Sequence, residues 1–334
     1  MAAVAHSSCA PQSGEQGRAI SAENHRKNSI RSRPMQAPRI RLTPAGPEFS
    51  RVAFGLWRLG DWRLAPQQRL ALLEQALDLG VTTIDHADIY GDYGGEALFG
   101  EALALAPQLR ARLEIVTKCG IMAQSRNRPP VSVAHYDTSR AHIVAAAENS
   151  LRLMGTDYLD LLLIHRPDPL MDPDEMAEAF RALQQAGKVR HFGVSNFTPS
   201  QFEMLASRHP LVTNQIELSA MHPDPLYDGT LDQCQRLSVV PMIWSALGGG
   251  RLFSEQSPRA ERVRAALDTI AAAHDVSAAI IAYAWILRHP ARPLVITGSQ
   301  RIAAMREAVA AAHIVLSREQ WFEILRASNG CDVP

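Results

Sequence analysis

The stretch TTIDHADIYG, Thr82 to Gly91, decides how this chain is read. It begins as an alternating β-rich segment, with Val81, Thr83 and Asp85 on one face and Thr82 and Ile84 on the other. It then breaks in the glycine-rich run GDYGG, Gly91 to Gly95. A strand whose last residues are acids, an imidazole and a phenol, followed at once by a loop, places chemistry at its carboxyl end. In closed barrels of alternating strands and helices, that end carries the active site. Asp85 and Tyr90 are therefore the first candidates, and the rest of the chain has to supply their partners.

Working outward, strand-like apolar runs recur at 51–59, 82–87, 113–119, 158–165, 191–195, 212–218, 239–247 and 294–298. Amphipathic segments of helical period lie between them, among them 66–79, 139–154 and 172–185. The first has Leu70, Leu73, Ala76 and Leu77 on one face, Pro66 at its start and Gly80 past its end, as helix signals run. Eight strands alternating with helices predict one α/β domain, a closed parallel (β/α)8 barrel over residues 39–334. A doubly wound sheet is the rival, but GLWRLG after the first strand lacks the glycines that open a dinucleotide-binding helix. Apolar helices at 259–273 and 277–288, with a closing one at 318–327, predict additional helices near the C-terminus.

Residues 1–38 carry Ser, Ala, Pro, Gln and Arg without a periodic apolar face. They predict a disordered or non-native extension, with Met35 as an alternative start.

Composition narrows the function. The chain of 334 residues is 46% apolar and 20% charged, without a run of eighteen apolar residues. Lys+Arg and Asp+Glu balance at 34 each, which favours neither nucleic acid nor a membrane surface as partner. Cys9, Cys119, Cys234 and Cys331 are scattered without metal-ligand or redox spacing, as in a cytoplasmic protein with reduced thiols. Only three residues are lysine: Lys27, Lys118 and Lys188. A chain that uses arginine almost everywhere keeps a lysine in the apolar strand LEIVTKCG for a reason.

The strand ends answer why. The second strand leads through Asp85 to Tyr90, the third ends in Lys118, and the fourth, YLDLLLIHRP, ends in His165. Three consecutive barrel strands bring these four residues to one mouth. Singly, each is more often an ordinary structural group; as a set on matched strand ends they read as catalytic. A free phenol has a pKa of about 10 and is a weak acid at neutral pH. A neighbouring ammonium lowers that value, and a carboxylate keeps a buried ammonium charged. Lysine suits the place because its compact ammonium fits between a carboxylate and a phenol. His165 would hydrogen-bond an incoming carbonyl. His86 alternates to the opposite face from Asp85, and no further ligand pair follows, so no metal is expected.

Later strands carry neutral hydrogen-bonding groups. Ser195 and Asn196 end GVSNF, and Gln215 lies in TNQIELS; these suit an amide such as a nicotinamide carboxamide. In MIWSALGGGRLF, Trp244 offers a face for a flat ring, while Gly248, Gly249, Gly250 and Arg251 form a flexible cationic loop suited to pyrophosphate. Gly298 and Ser299 of ITGSQRI enter a helix whose N-terminus attracts phosphate.

These motifs resemble the aldo-keto reductase superfamily over nearly all of residues 39–334. Asp85, Tyr90, Lys118 and His165 are similar to its catalytic tetrad in order and spacing. GVSNF, NQIELS, WSALGGGRLF (with Ser245 and Leu247) and the Gly298–Ser299 turn resemble its cofactor-binding segments. The closing REQWFEILRASNGCDVP is similar to the bacterial YdhF-like oxidoreductase branch. The resemblance implies NADP(H)-dependent, reversible reduction of aldehydes or ketones to alcohols, with Tyr90 as general acid. It also implies that Gly55, Leu56 and Trp57 line the site. Ala246 departs from a usual proline. Near the adenosine 2′-phosphate, Arg301 takes the usual lysine position and Ala304 the usual arginine position, which keeps NADH open beside NADPH. The expected partner is a small-molecule carbonyl compound, and the chain is expected as a monomer or weak homo-oligomer. The alternative is a non-catalytic NADP(H)-sensing or partner-binding barrel.

Overall fold

The computed structural model describes residues 35–332. Two short strands, β1 (Arg39–Arg41) and β2 (Glu48–Ser50), pair antiparallel as a hairpin ahead of the barrel. The barrel strands are β3 (Val52–Gly55), β4 (Thr83–Asp85), β5 (Glu114–Cys119), β8 (Leu159–Ile164), β9 (Val189–Ser195), β10 (Asn214–Glu217), β11 (Met242–Trp244) and β12 (Leu294–Thr297). They run parallel in chain order, and β12 closes on β3. Seven lie within the apolar runs of the sequence, and β9 begins two residues ahead of its run, at Val189. Between β5 and β8, β6 (Ile121–Met122) and β7 (His135–Tyr136) form a second antiparallel hairpin.

Among the described residues twelve α-helices accompany the strands: α1 (Pro66–Asp78), α2 (Tyr90–Tyr93), α3 (Gly95–Ala104), α4 (Arg140–Met154), α5 (Pro173–Gln185), α6 (Pro199–Ala206), α7 (Thr230–Leu237), α8 (Arg251–Ser254), α9 (Pro258–His274), α10 (Ala278–Leu287), α11 (Ile302–Ala311) and α12 (Arg318–Asn329). Their starts follow local chemistry. The side chains of Ser139, Asp172, Thr198, Ser257, Ser277 and Ser317 each accept a first-turn amide. Each such cap is worth about 1 kcal/mol. The expected extra helices near the C-terminus are α9, α10 and α12. Trp285 of α10 and Trp321 of α12 stack at 5.3 Å, and each indole N–H donates to the other's backbone carbonyl, at 3.1 and 3.0 Å.

The side-chain alternation of the strands makes two cores. Outward residues pack against the helices, among them Phe54, Ile84, Ile115, Leu162 and Ile164. Inward residues Ala53, Val116, Leu161, Leu163, Val212, Met242 and Leu294 fill the barrel together with Ile40, Leu42 and Phe49 of the hairpin segment. That hairpin plugs the amino-terminal mouth, and Val240 N donates to Leu42 O at 2.8 Å. Residues just ahead of Arg39 also pack on the barrel. Ala37 is buried in the outer core and its N–H donates to Leu79 O at 2.8 Å, while Pro38 O accepts from Arg51 N. These two residues, too few to show a period, are fixed by burial and backbone pairing. The part of the predicted extension at 1–34 lies outside the described residues.

With the amino-terminal mouth filled by apolar side chains, polar inward residues collect at the other end. Among the described residues, no single helix is long and apolar enough to cross a membrane.

Phe49 is fully buried as the plug. Phe49→Ala is expected to cost about 3–5 kcal/mol of unfolding free energy, read by urea denaturation. A loss below 1 kcal/mol would show that the hairpin is not part of the core.

Candidate active site

β5 points Val116 and Lys118 into the barrel and Ile115, Thr117 and Cys119 toward the helices, so one strand supplies core below and chemistry above. The Lys118 side chain is almost wholly buried, 1% exposed. Its ammonium donates to Asp85 Oδ2 at 2.8 Å, to the His86 carbonyl at 2.7 Å and to the Tyr90 hydroxyl at 3.1 Å. Three protons meet three acceptors, a tetrahedral set that a planar guanidinium could not match. Asp85 is braced from the far side of the barrel, because Gln215 Nε2 donates to its Oδ1 at 2.7 Å. His165, the first residue after β8, faces the phenol edge-on with ring centroids 5.9 Å apart. The four residues read as catalytic thus meet at the carboxyl mouth.

The electrostatics agree with the sequence for lysine and differ for tyrosine. Burial works to lower the pKa of Lys118, but Asp85 and the Tyr90 oxygen outweigh it and hold the value above the ordinary lysine range. His165 is pushed well below its usual value, first by burial and then by Lys118 and Arg166, so its imidazole is neutral. The sequence predicts an acidified phenol at Tyr90. In the structure its pKa is raised: burial dominates, Lys118 pulls it down, and Asp85 pushes it up again. The ammonium opposes desolvation without overcoming it. The phenol therefore keeps its proton at neutral pH, the form a donor needs.

The residues expected to hold a cofactor line the same mouth, several with partners of their own. Ser195 Oγ donates to Gln215 O at 2.9 Å and accepts from Asn196 Nδ2 at 2.8 Å. Asn196 Oδ1 accepts from Trp244 Nε1 at 3.0 Å. This chain of bonds ties β9, β10 and β11 together at the rim, and Asn196 holds a left-handed φ of 60° within it. Gly248, Gly249 and Gly250 take φ of 62°, 67° and 100°, so the loop read as flexible is a defined left-handed turn leading into α8. Gly248 N donates to Ser245 O, Leu252 N donates to Leu247 O, and Arg251 Nε donates to Gly248 O at 3.1 Å. Ser299 Oγ accepts from the N–H of Arg301, the cap of α11. A Cβ on Gly55 would come within 2.6 Å of Ile296 Cγ2, whereas one on Gly298 would make an ordinary 3.4 Å contact with Gly55 O. Leu56 is 2% exposed and packs in the outer core. Trp57 is 59% exposed on the rim. The donor set fits a dinucleotide: neutral amides and a hydroxyl beside Tyr90, an indole face, a glycine cradle, and cationic Arg251 and Arg301 farther out.

Two arginines escaped the sequence reading. Arg58 Nη2 donates to Gly249 O at 3.0 Å and so links the loop after β3 to the glycine turn. Arg166 stands over the Trp244 ring, 5.7 Å from its centroid, and its charge reaches both Tyr90 and His165. It lies in an ordinary-looking Arg-Pro dipeptide, and its position directly after His165 was the available signal.

A model of the aldo/keto reductase family matches residues 51–329 of the chain. Oxidoreductase YdhF of Escherichia coli (strain K12) is 54% identical over 300 residues, covering 89% of this chain and 99% of that protein. A 6-dehydroglucose reductase of Agrobacterium fabrum is 45% identical over 289 residues, covering 86% and 96%. Among solved structures, an aldo/keto reductase from Klebsiella pneumoniae in complex with NADP and acetate superposes with a TM-score of 0.70 at 28% identity, over 86% of this chain and 95% of that one.

On the outer face of the same strand end, burial perturbs two further groups in opposite senses. It lowers the pKa of His86, packed edge-on against Phe99, to about 3, and raises that of Asp88 to about 7. Below pH 6.5 the unfolded imidazole takes a proton that folded His86 refuses, so His86 costs stability as pH falls toward 3. Above 3.8 the unfolded carboxyl loses a proton that folded Asp88 keeps until about 7, so Asp88 costs stability as pH rises. In the wild type the two slopes oppose each other. Relative to it, Asp88→Asn is expected to lose stability as pH is lowered from 6.5 to 4, and His86→Phe as pH is raised over the same interval. Each slope approaches about 1.4 kcal/mol per pH unit, read by urea titrations. Slopes of the same sign in both variants would contradict this assignment.

Proposed function

The chain belongs to the aldo/keto reductase family and is an NAD(P)H-dependent oxidoreductase, and on that premise we propose that it reduces the carbonyl group of a polyhydroxylated aldehyde with NADPH. The observation that carries the reading is the buried Lys118 ammonium, bonded at once to Asp85 and to the Tyr90 hydroxyl.

NADPH, when bound, supplies the hydride that reaches the carbonyl carbon. The chain's own residues then have three tasks. Tyr90 donates its phenolic proton to the carbonyl oxygen as the C=O π pair moves onto that oxygen. Lys118 stabilises the phenolate left behind, and Asp85 holds the ammonium charged while that happens. Neutral His165 offers a ring N–H to the same oxygen and orients it; which nitrogen carries the proton follows from the bond it makes. In the reverse direction the phenolate takes the proton back. Ser195, Asn196 and Gln215 would hold the nicotinamide amide beside Trp244, and Arg251 with the Gly298–Ser299 turn would hold the phosphates. Arg301, exposed at the start of α11, supports NADPH, while Ala304 leaves NADH as a second donor.

The substrate class follows from Arg166. A half-buried guanidinium beside the acid and the orienting imidazole favours a substrate that offers hydroxyl or carboxylate oxygens near its carbonyl. The 45% identical relative named 6-dehydroglucose reductase points the same way, to a sugar aldehyde.

Tyr90→Phe is expected to lower kcat for aldehyde reduction by about 10³-fold or more, while fluorescence titration shows NADPH binding unchanged. Retention of wild-type turnover would overturn the role of Tyr90. Arg166→Leu is expected to raise KM for a sugar aldehyde about tenfold or more, as the loss of a charge-assisted bond worth ~1.5–3 kcal/mol implies. Its KM for benzaldehyde should stay within twofold. Equal changes for both compounds would remove Arg166 from substrate selection.

A further inference from the structure

The Tyr90 hydroxyl is delivered by a segment that is not held by its own conformation. Immediately after Tyr90, Gly91, Asp92 and Tyr93 take φ of 60°, 55° and 63°, three successive left-handed residues of which two carry a Cβ. L residues rarely hold that conformation unaided, and no side chain caps the α2 turn from within.

The holding contacts come from the loop after β5. The buried Tyr93 ring sends its hydroxyl into that loop, donating to Ile121 O at 3.0 Å and accepting from Ala123 N at 2.9 Å. Asn127 Nδ2 donates to Asp92 O at 2.7 Å. The Arg128 guanidinium covers the Tyr93 ring at 4.4 Å, and its Nη2 lies 3.7 Å from Asp88 Oδ2. Contacts thus fall on both sides of Tyr90 in the chain, two residues before it and two to three after.

We propose that the loop spanning residues 121–138 is a strap that positions the catalytic phenol, with Tyr93, Asn127 and Arg128 as positioning residues and the Asp88–Arg128 ion pair as its clasp. This rests on the reading of Tyr90 as proton donor. None of the three strap residues touches the Lys118–Asp85–Tyr90 hydrogen bonds directly; they act through the backbone that carries the phenol.

The clasp responds to charge. The Asp88 carboxylate is wholly buried, and the groups around it are Glu96 from α3, Lys118 and Cys119 from β5, and Arg128 from the strap. Burial, reinforced by Glu96, raises its pKa to about 7, with Arg128 and Lys118 pulling the other way. Above that value Asp88 is ionised and draws Arg128 in; below it that attraction lapses and the strap keeps its contacts to Tyr93 and Asp92 without the ion pair. A wild-type kcat that declines as pH falls through 7 is the signature of such a clasp.

The test uses the full chain with NADPH and an aldehyde between pH 6 and 9. Tyr93→Phe removes two hydrogen bonds and keeps the ring; Arg128→Met keeps the stem and removes the charge. Each is expected to lower kcat at pH 8 by about tenfold to a hundredfold, as sub-ångström to ångström misplacement of a reacting group does, with unchanged NADPH affinity. Amides 91–94 should exchange with deuterium faster in both. Arg128→Lys should recover part of the loss, and Asp88→Asn should abolish the decline of kcat through pH 7. Unchanged kcat in Tyr93→Phe and Arg128→Met, or a rise in substrate KM with kcat intact, would overturn the strap and leave the loop as a pocket wall. Should Tyr90→Phe retain turnover, the functional reading fails instead, and exchange at 91–94 still decides whether the loop holds the turn.

Discussion

A single buried ammonium sets the terms for the rest of this molecule. Taking a cation out of water costs several kcal/mol unless its charge and its hydrogen-bond donors are both answered. Lys118 has a carboxylate, a carbonyl and a phenol, one for each proton. Removing the carboxylate from a site this dry would leave an uncompensated charge, at a typical cost of about 3–5 kcal/mol for a buried pair, whereas losing the phenol leaves one unanswered donor at about 1–3 kcal/mol. The charge of Lys118 is therefore tied to Asp85 above all. Gln215 extends that set across the barrel, since the oxygen of Asp85 that Lys118 does not use is taken up by its amide.

The closed sheet is what makes such a set possible. Asp85 lies level with Val116 on the neighbouring strand, two residues below Lys118, so the ammonium reaches carboxylate and phenol together. Alternation keeps His86 and Cys119 on the other face, where their pKa values are perturbed by burial without entering the chemistry. Gly193 shows how little room remains inside: a Cβ there would come within 2.8 Å of Leu163 Cδ2 and of Thr213 O. The hairpin β1–β2 closes the opposite mouth, which leaves water one end by which to approach the polar layer.

Eight barrel strands, the main helices and the four central side chains could be read from the sequence because long apolar runs and strand ends carry strong local signals. What escaped was set by tertiary context. The hairpins β1–β2 and β6–β7 use strands of two or three residues, too short for a period of two to emerge. The rise in the Tyr90 pKa depends on how much water the folded mouth admits, which no spacing of residues encodes. The packing of Leu56 into the outer core, against the helices, is likewise set by the turn after β3. Arg128 sits in a polar, proline-rich stretch, and its pairing with Asp88 spans forty residues of chain. Arg166 was legible in principle, one position beyond His165.

Lys118 is one of only three lysines in the chain, so its side-chain nitrogen can be followed directly. The pH titration of the 15Nζ resonance, assigned by its loss in Lys118→Met, measures the charge on which the site is built. The account predicts an ammonium that persists above the ordinary lysine value of about 10.4, with its midpoint falling in Asp85→Asn. A midpoint below that value in the wild type, or one indifferent to Asp85, would contradict it.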